Sequence, residues 1–195
     1  MKTTLILLSV VLGGCLAAGG CDRDGARVID RAEDAASVPV GQTSAQVLGG
    51  NLSSAYVSSA FMGDMYEIQA ANIALERSQN ETVRALAQAI RTEHAAARTA
   101  LEALAAAETP SLVLPGALDQ RRQGLIDNLR NATPADFDRV YVDQLIAAHE
   151  EAVTLNRSFA GHSDTPGLVK NALSVLPKVE GHLEQARNLR QTLKG

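Results

Sequence analysis

Residues 84–104 read RALAQAIRTEHAAARTALEAL. With Val83 added, apolar side chains fall at Val83, Leu86 and Ile90, then at Ala97, Leu101 and Leu104. The spacing follows the three-to-four-residue period of a helix, so these positions share one face. The stretch contains neither proline nor glycine, and nothing in it alternates with period two. It is a long amphipathic helix. One residue breaks the stripe: His94 stands where a leucine would pack.

Outward from this helix the same period recurs. Val57, Phe61, Ile68 and Leu75 mark a helix over 52–78. Ser78 with Glu81 forms a capping-box pattern, with Asn80 as the alternative cap, so the second helix covers 81–107. ETPSLVLPGA then interrupts the pattern with Pro110, Pro115 and Gly116. A shorter helix over 117–130 carries Leu118, Leu125 and Leu129. Thr133-Pro134 with Asp136 reads as a helix start, and that helix runs to 160. GHSDTPG makes the next turn, and Pro166 opens a final helix that contains Pro177, an expected kink. The fold class is all-α: a ferritin-like four-helix bundle, two helical hairpins joined by a longer crossover with a short extra helix. Alanine on the inner faces lets the helices approach closely.

The domain occupies 51–195. Ahead of it, MKTTLILLSVVLGGCLAAGGC has a single lysine and a short apolar run, then small residues. That is a lipoprotein-type signal peptide over 1–20, too short to span a bilayer. Small residues before a cysteine mark a lipid attachment site. Cys21, followed at once by charged residues, is the better candidate, and Cys15 is the alternative. Residues 21–50 show no period and form a flexible tether of about 30 Å reach. With Cys21 as anchor the domain holds no thiol, which excludes a disulfide framework and a cysteine nucleophile. The expected setting is the bacterial cell envelope, facing the periplasm, with inner and outer membrane both open. A net charge of -4, no basic run and 3% aromatics point to no nucleic acid. A protein partner is not specified.

His94 has counterparts. Helix three reads Val142, Leu145, Ile146, His149, Ala152, Val153, and helix four reads Val175, Val179, His182, Ala186, Leu189. Three histidines inside three apolar stripes arise by chance about once in thirty, if core positions take about a third of a helix face. Helix one offers Glu67 among Ala60, Gly63, Ala71 and Ala74. Counted from the first turn, Glu67 and His94 lie within about 3 Å of one level. His149 and His182 fit less well, about 7 Å apart in height. An ionised carboxylate in an apolar interior costs several kcal/mol unless paired. Glu67, His94, His149 and His182 are therefore candidate ligands for one transition-metal ion, zinc, copper or iron. The alternative is a hydrogen-bonded polar layer. Glu93, Glu150 and Glu180 are expected in solvent. Asp64 can share the face of Glu67, Asp143 and Tyr141 are ambiguous, and Arg121-Arg122 with Asp127 and Asn128 read as ordinary surface.

These pieces, MYEIQAANIALERSQNETVRALAQAIRTEH, DFDRVYVDQLIAAHEEAV and LPKVEGHLEQA, resemble a large bacterial exported family of unknown function, often labelled an outer membrane protein and placed among ferritin-like folds. The resemblance covers most of 55–190. It implies Glu67, His94, His149 and His182 as key positions and Phe137, Asp138 and Tyr141 as a structural signature, and it implies no activity. Di-iron bundles carry Glu-x-x-His pairs. Here Arg91, Ile146 and Val179 stand three residues before the histidines, so a single ion is favoured over a ferroxidase pair.

Two functions follow. One is an envelope-anchored bundle with a mononuclear metal site, serving metal handling, redox chemistry or stress defence. The other is a non-catalytic envelope protein whose polar layer fixes helix register and whose surface binds a partner. A hydrolase has little support: there is no Gly-x-Ser-x-Gly elbow and no His-Glu-x-x-His helix.

Overall fold

A computed structural model describes residues 53–162 and 165–193. The expected signal peptide and tether, with Cys15 and Cys21, lie outside the described residues. Among those described, all regular structure is helical: α1 Ser53–Arg77, α2 Glu81–Glu108, α3 Gln120–Asn131, α4 Phe137–His162 and α5 Pro166–Thr192. The described residues thus form an all-helical bundle. No described helix is long and apolar enough to cross a membrane.

The sequence sets most helix ends. Asn80, not the Ser78–Glu81 box, caps α2, its side chain accepting from the amides of Thr82 and Val83. The Ser78 hydroxyl accepts from the Asn80 amide at 3.1 Å and shapes the turn. Asp119 caps α3, which starts three residues later than its apolar pattern suggests. Thr133-Pro134 opens a separate turn rather than α4. The amides of Asp136 and Phe137 return to the Thr133 carbonyl, and regular helix begins only at Phe137. At the start of α5 the amide of Leu168 donates to Glu108 Oε2 from the end of α2, 3.1 Å away. A carboxylate there also suits the positive end of the helix dipole. Helix α5 continues through Pro177. Pro177 and Leu173, whose carbonyl loses its helical partner, both reach solvent, so water can take the place of that bond.

Helices α1 and α2 pack as one hairpin and α4 and α5 as another. The hairpins meet through α1 against α4 and α2 against α5, with α3 across α1 and α4. Arg77 at the end of α1 ties the crossover down. Its guanidinium donates to the carbonyls of Leu129, Arg130 and Ala132, which α3 leaves unpaired at its C-terminus. It also lies 4.6 Å over the Phe137 ring.

The apolar core is split. One cluster holds Tyr66, Ile73, Val83, Leu86, Ile90, Ile126, Leu129, Phe137, Tyr141 and Leu145. A second holds Tyr56, Val57, Phe61, Met65, Leu101, Leu155, Phe159 and Leu168. In the second, Tyr56 and Phe159 stack with centroids 3.9 Å apart, a contact of about 0.5–1.5 kcal/mol beyond its burial. The buried face of α1 is centred on Phe61, Met65 and Ala70, while Ile68 and Leu75 sit at its border. Between the two clusters lies the level that carries the histidines.

Candidate metal centre

His94 on α2, His149 on α4 and His182 on α5 all turn inward, and are 8%, 0% and 5% exposed. Each offers one ring nitrogen to a group whose atoms lie within 4.8 Å of one another. The ring centroids are 5.4–5.9 Å apart. The closest approach is His149 Nε2 to His182 Nδ1, 3.3 Å.

The height mismatch expected for His149 and His182 does not arise. Helix α4 runs on to His162, and α5 begins at Pro166. The two histidines then stand thirteen and sixteen residues from the turn, an offset of about 4.5 Å. Side chains tilt toward the N-terminus of their own helix. On antiparallel helices this tilt carries His149 away from the turn and His182 toward it, which closes the remaining gap.

Two of the three imidazoles have the other nitrogen hydrogen-bonded to an oxygen, and the third approaches one. His94 Nδ1 donates to Asp64 Oδ1 at 2.8 Å. His149 Nδ1 donates to the Leu145 carbonyl at 3.0 Å and lies 3.2 Å from Glu67 Oε1. His182 Nε2 is 3.6 Å from Glu93 Oε2. Such outer partners fix tautomer and ring orientation. Asp64 therefore belongs to the site, one helical turn before Glu67. Glu93 is partly exposed as expected, yet its carboxylate faces His182.

Glu67 is 3% exposed and sits behind His149, on the side away from the three facing nitrogens. Its Oε2 is buried with no hydrogen-bond partner, as are Asp138 Oδ1 and Tyr141 Oη. Burial opposes the charge on Glu67. The charge and hydrogen bond of His149, with smaller contributions from His94 and His182, outweigh it and hold the carboxyl below its ordinary value. Burial likewise opposes the charge on His94, but Asp64, Glu67 and Glu93 raise it above the usual imidazole range. Asp64 is itself raised, first by burial. The pair thus holds one proton strongly between them. His182 is lowered by burial and by the neighbouring His149 and His94. Burial raises the Tyr141 hydroxyl, with help from the charge of Glu67.

The remaining expectations divide. Glu150 pairs with Arg187 and Glu180 with Arg157 at the surface, as expected of solvated acids. Arg121 and Arg122 are not ordinary surface. Both clasp Glu151, at 2.8 and 2.7 Å, and Arg122 is mostly buried. Periodicity placed neither this clasp nor the Tyr66–Gln144 bond at 2.9 Å, since both join separate helices. The alanines do not all bring helices close: Ala60, Ala97, Ala100, Ala148 and Ala152 line a cavity of about 460 Å³ beside the histidines.

The fold and this site define a helical bundle with a buried three-histidine layer. Over residues 40–189 the chain matches the model of a domain of unknown function, DUF4142, and it belongs to that family. No curated protein matches it. In solved structures the chain is similar to the crystal structure of a DUF305 fragment from Deinococcus radiodurans, with a TM-score of 0.63, 16% identity, and 71% of this chain and 95% of that one covered. At that identity the likeness carries the fold alone.

Proposed function

We propose that this domain binds a single transition-metal ion through His94, His149 and His182. One observation carries the reading. Three buried imidazole nitrogens face one another, while the opposite nitrogens of His94 and His149 are hydrogen-bonded to oxygens and that of His182 lies 3.6 Å from Glu93. A tetrahedral zinc site with Zn–N of about 2.0–2.1 Å needs its nitrogens about 3.3 Å apart. The His149–His182 pair is already at that spacing. Ligation through Nδ1 places the His182 proton on Nε2, which lies 3.6 Å from Glu93. Glu67 keeps His149 oriented and, with Asp64, offsets the charge of a divalent ion. Nitrogen ligands suit zinc, copper or iron(II). Three protein ligands leave a coordination position free, as metal handling or redox chemistry requires. We further propose the ferritin-like arrangement for the bundle, and attachment to an envelope membrane through a lipid on Cys21 or Cys15. The opening sequence supports that attachment.

Metal analysis of protein purified without a histidine tag tests the metal reading. Near-equimolar zinc, copper or iron is expected, lost in His94→Ala and His149→Ala. Added metal at a hundredfold excess over Kd should stabilise the folded state by about 2.7 kcal/mol. Folded wild type that gains no stability from any of the three metals refutes the site. The histidines would then form a polar layer that fixes helix register.

A further inference from the structure

The alanine-walled cavity reaches the histidine layer. His94 and His182 line it, while the fully buried His149 does not. Ala96, Ala100, Ser174 and Lys178 also line it and reach solvent, so it opens between α2 and α5. Gly63 is on its wall, and a Cβ built there meets nothing within 4 Å. A volume of about 460 Å³ suits an organic molecule rather than a few waters.

The walls select against a charged occupant. Leu101, Leu155 and Val179 stand beside the alanines, and an apolar wall penalises an unpaired charge. The ionic groups of the wall are engaged with one another. Arg121 and Arg122 bond Glu151, and Asp143 is held by Arg139 and Arg190. At the inner end Asp64 and Glu67 lie 2.8 and 3.2 Å from histidines of the layer, and Glu93 lies 3.6 Å from another. Those carboxylates carry three negative charges against the two positive charges of a divalent ion. An anionic ligand would add to that surplus, whereas a neutral one would not.

We propose that the cavity is the ligand pocket of the metal centre, and that it admits a small apolar organic molecule ending in a neutral nitrogen or thioether donor. The inference rests on the metal reading above. The apolar body lies along the alanine walls, and the donor completes the coordination that His94, His149 and His182 leave open. Neutral nitrogen and sulfur donors suit the same borderline ions as imidazole does. The small side chains are thereby given a purpose: leucines in their place would pack the bundle and close the approach to the ion.

The test loads untagged, metal-stripped protein with cobalt(II), whose visible absorption bands report its donors. The loaded protein is titrated with 1-methyl-, 1-butyl- and 1-hexylimidazole at a pH where all are neutral, and with hexanoate. Each alkylimidazole should shift the cobalt bands saturably, with affinity rising about fourfold per added methylene as the chain enters the apolar cavity. Hexanoate should bind at least about tenfold more weakly than hexylimidazole, because its charge meets the surrounding carboxylates. Gly63→Leu and Ala100→Leu, which fill the cavity without touching a ligand, should each keep the cobalt bands and lose the dependence on chain length. Folded protein that takes up no cobalt refutes the metal centre and this pocket with it. Cobalt bands that no alkylimidazole moves overturn the pocket alone and leave the metal centre standing. The pocket is equally overturned by affinity independent of chain length, by hexanoate binding as well as hexylimidazole, or by a chain-length dependence that both variants retain.

Discussion

Replacing His149 with leucine isolates the electrostatic logic of the layer. His149 is fully buried and 3.2 Å from Glu67 Oε1, and the other oxygen of Glu67 has no partner. The leucine fills most of the imidazole's space, so little cavity cost arises. What remains is a carboxylate with neither oxygen hydrogen-bonded. Breaking a buried pair by removing one member costs about 3–5 kcal/mol. At about 2–4 °C per kcal/mol for a domain of this size, Tm falls by about 6–20 °C. The double variant Glu67→Leu/His149→Leu removes both members and should recover most of that loss, as replacement of a buried ion pair by apolar residues often does. Urea unfolding of metal-free protein at pH 7 measures the cycle. In wild type the depressed Glu67 contributes stability above its ordinary value of 4.5, lost as pH falls through its folded pKa. In His149→Leu that support is gone and burial raises the carboxyl. The deficit should therefore be full at pH 7 and shrink as acid neutralises Glu67. Two results refute this reasoning: a double variant as unstable as the sum of the singles, or a single-variant deficit that does not change with pH.

Three other outcomes are expected. In metal-free protein the His94 imidazole should titrate above its ordinary 6.5 by NMR, and Asp64→Asn should bring the midpoint down. Because the folded pKa is raised, His94 stabilises the fold fully below 6.5 and loses that contribution as pH rises through the folded value. A midpoint left unmoved by Asp64→Asn contradicts the pairing. A Cβ at Gly167 would come within 1.6 Å of the Glu108 carboxylate, so Gly167→Ala and Glu108→Ala should each lose the α5 cap. Each should cost about 0.5–2 kcal/mol in urea unfolding, and the two together little more than either alone, whereas full additivity would show that they act separately. Gly124 lies within α3 and a Cβ there meets nothing, so Gly124→Ala should raise stability by about 0.5–1 kcal/mol through helix propensity, and no gain would mean that this part of α3 is not helical in solution.

The sequence by itself determined the helices and the residues that matter. Apolar steps of three and four mark each long helix, and Pro166 and Asn80 set starts because their backbone and side-chain chemistry is local. His94, His149 and His182 stand out for the same reason: each interrupts a stripe whose period fixes which face is buried. Only the tertiary structure decided who meets whom. Asp64 rather than Glu67 bonds His94, Glu67 lies behind His149, and Arg121 and Arg122 close on Glu151. Those outcomes depend on helix offset, side-chain tilt and the space that small residues leave between the hairpins. Periodicity records only direction around one helix, so it cannot separate an alanine that brings two helices together from one that lines a cavity.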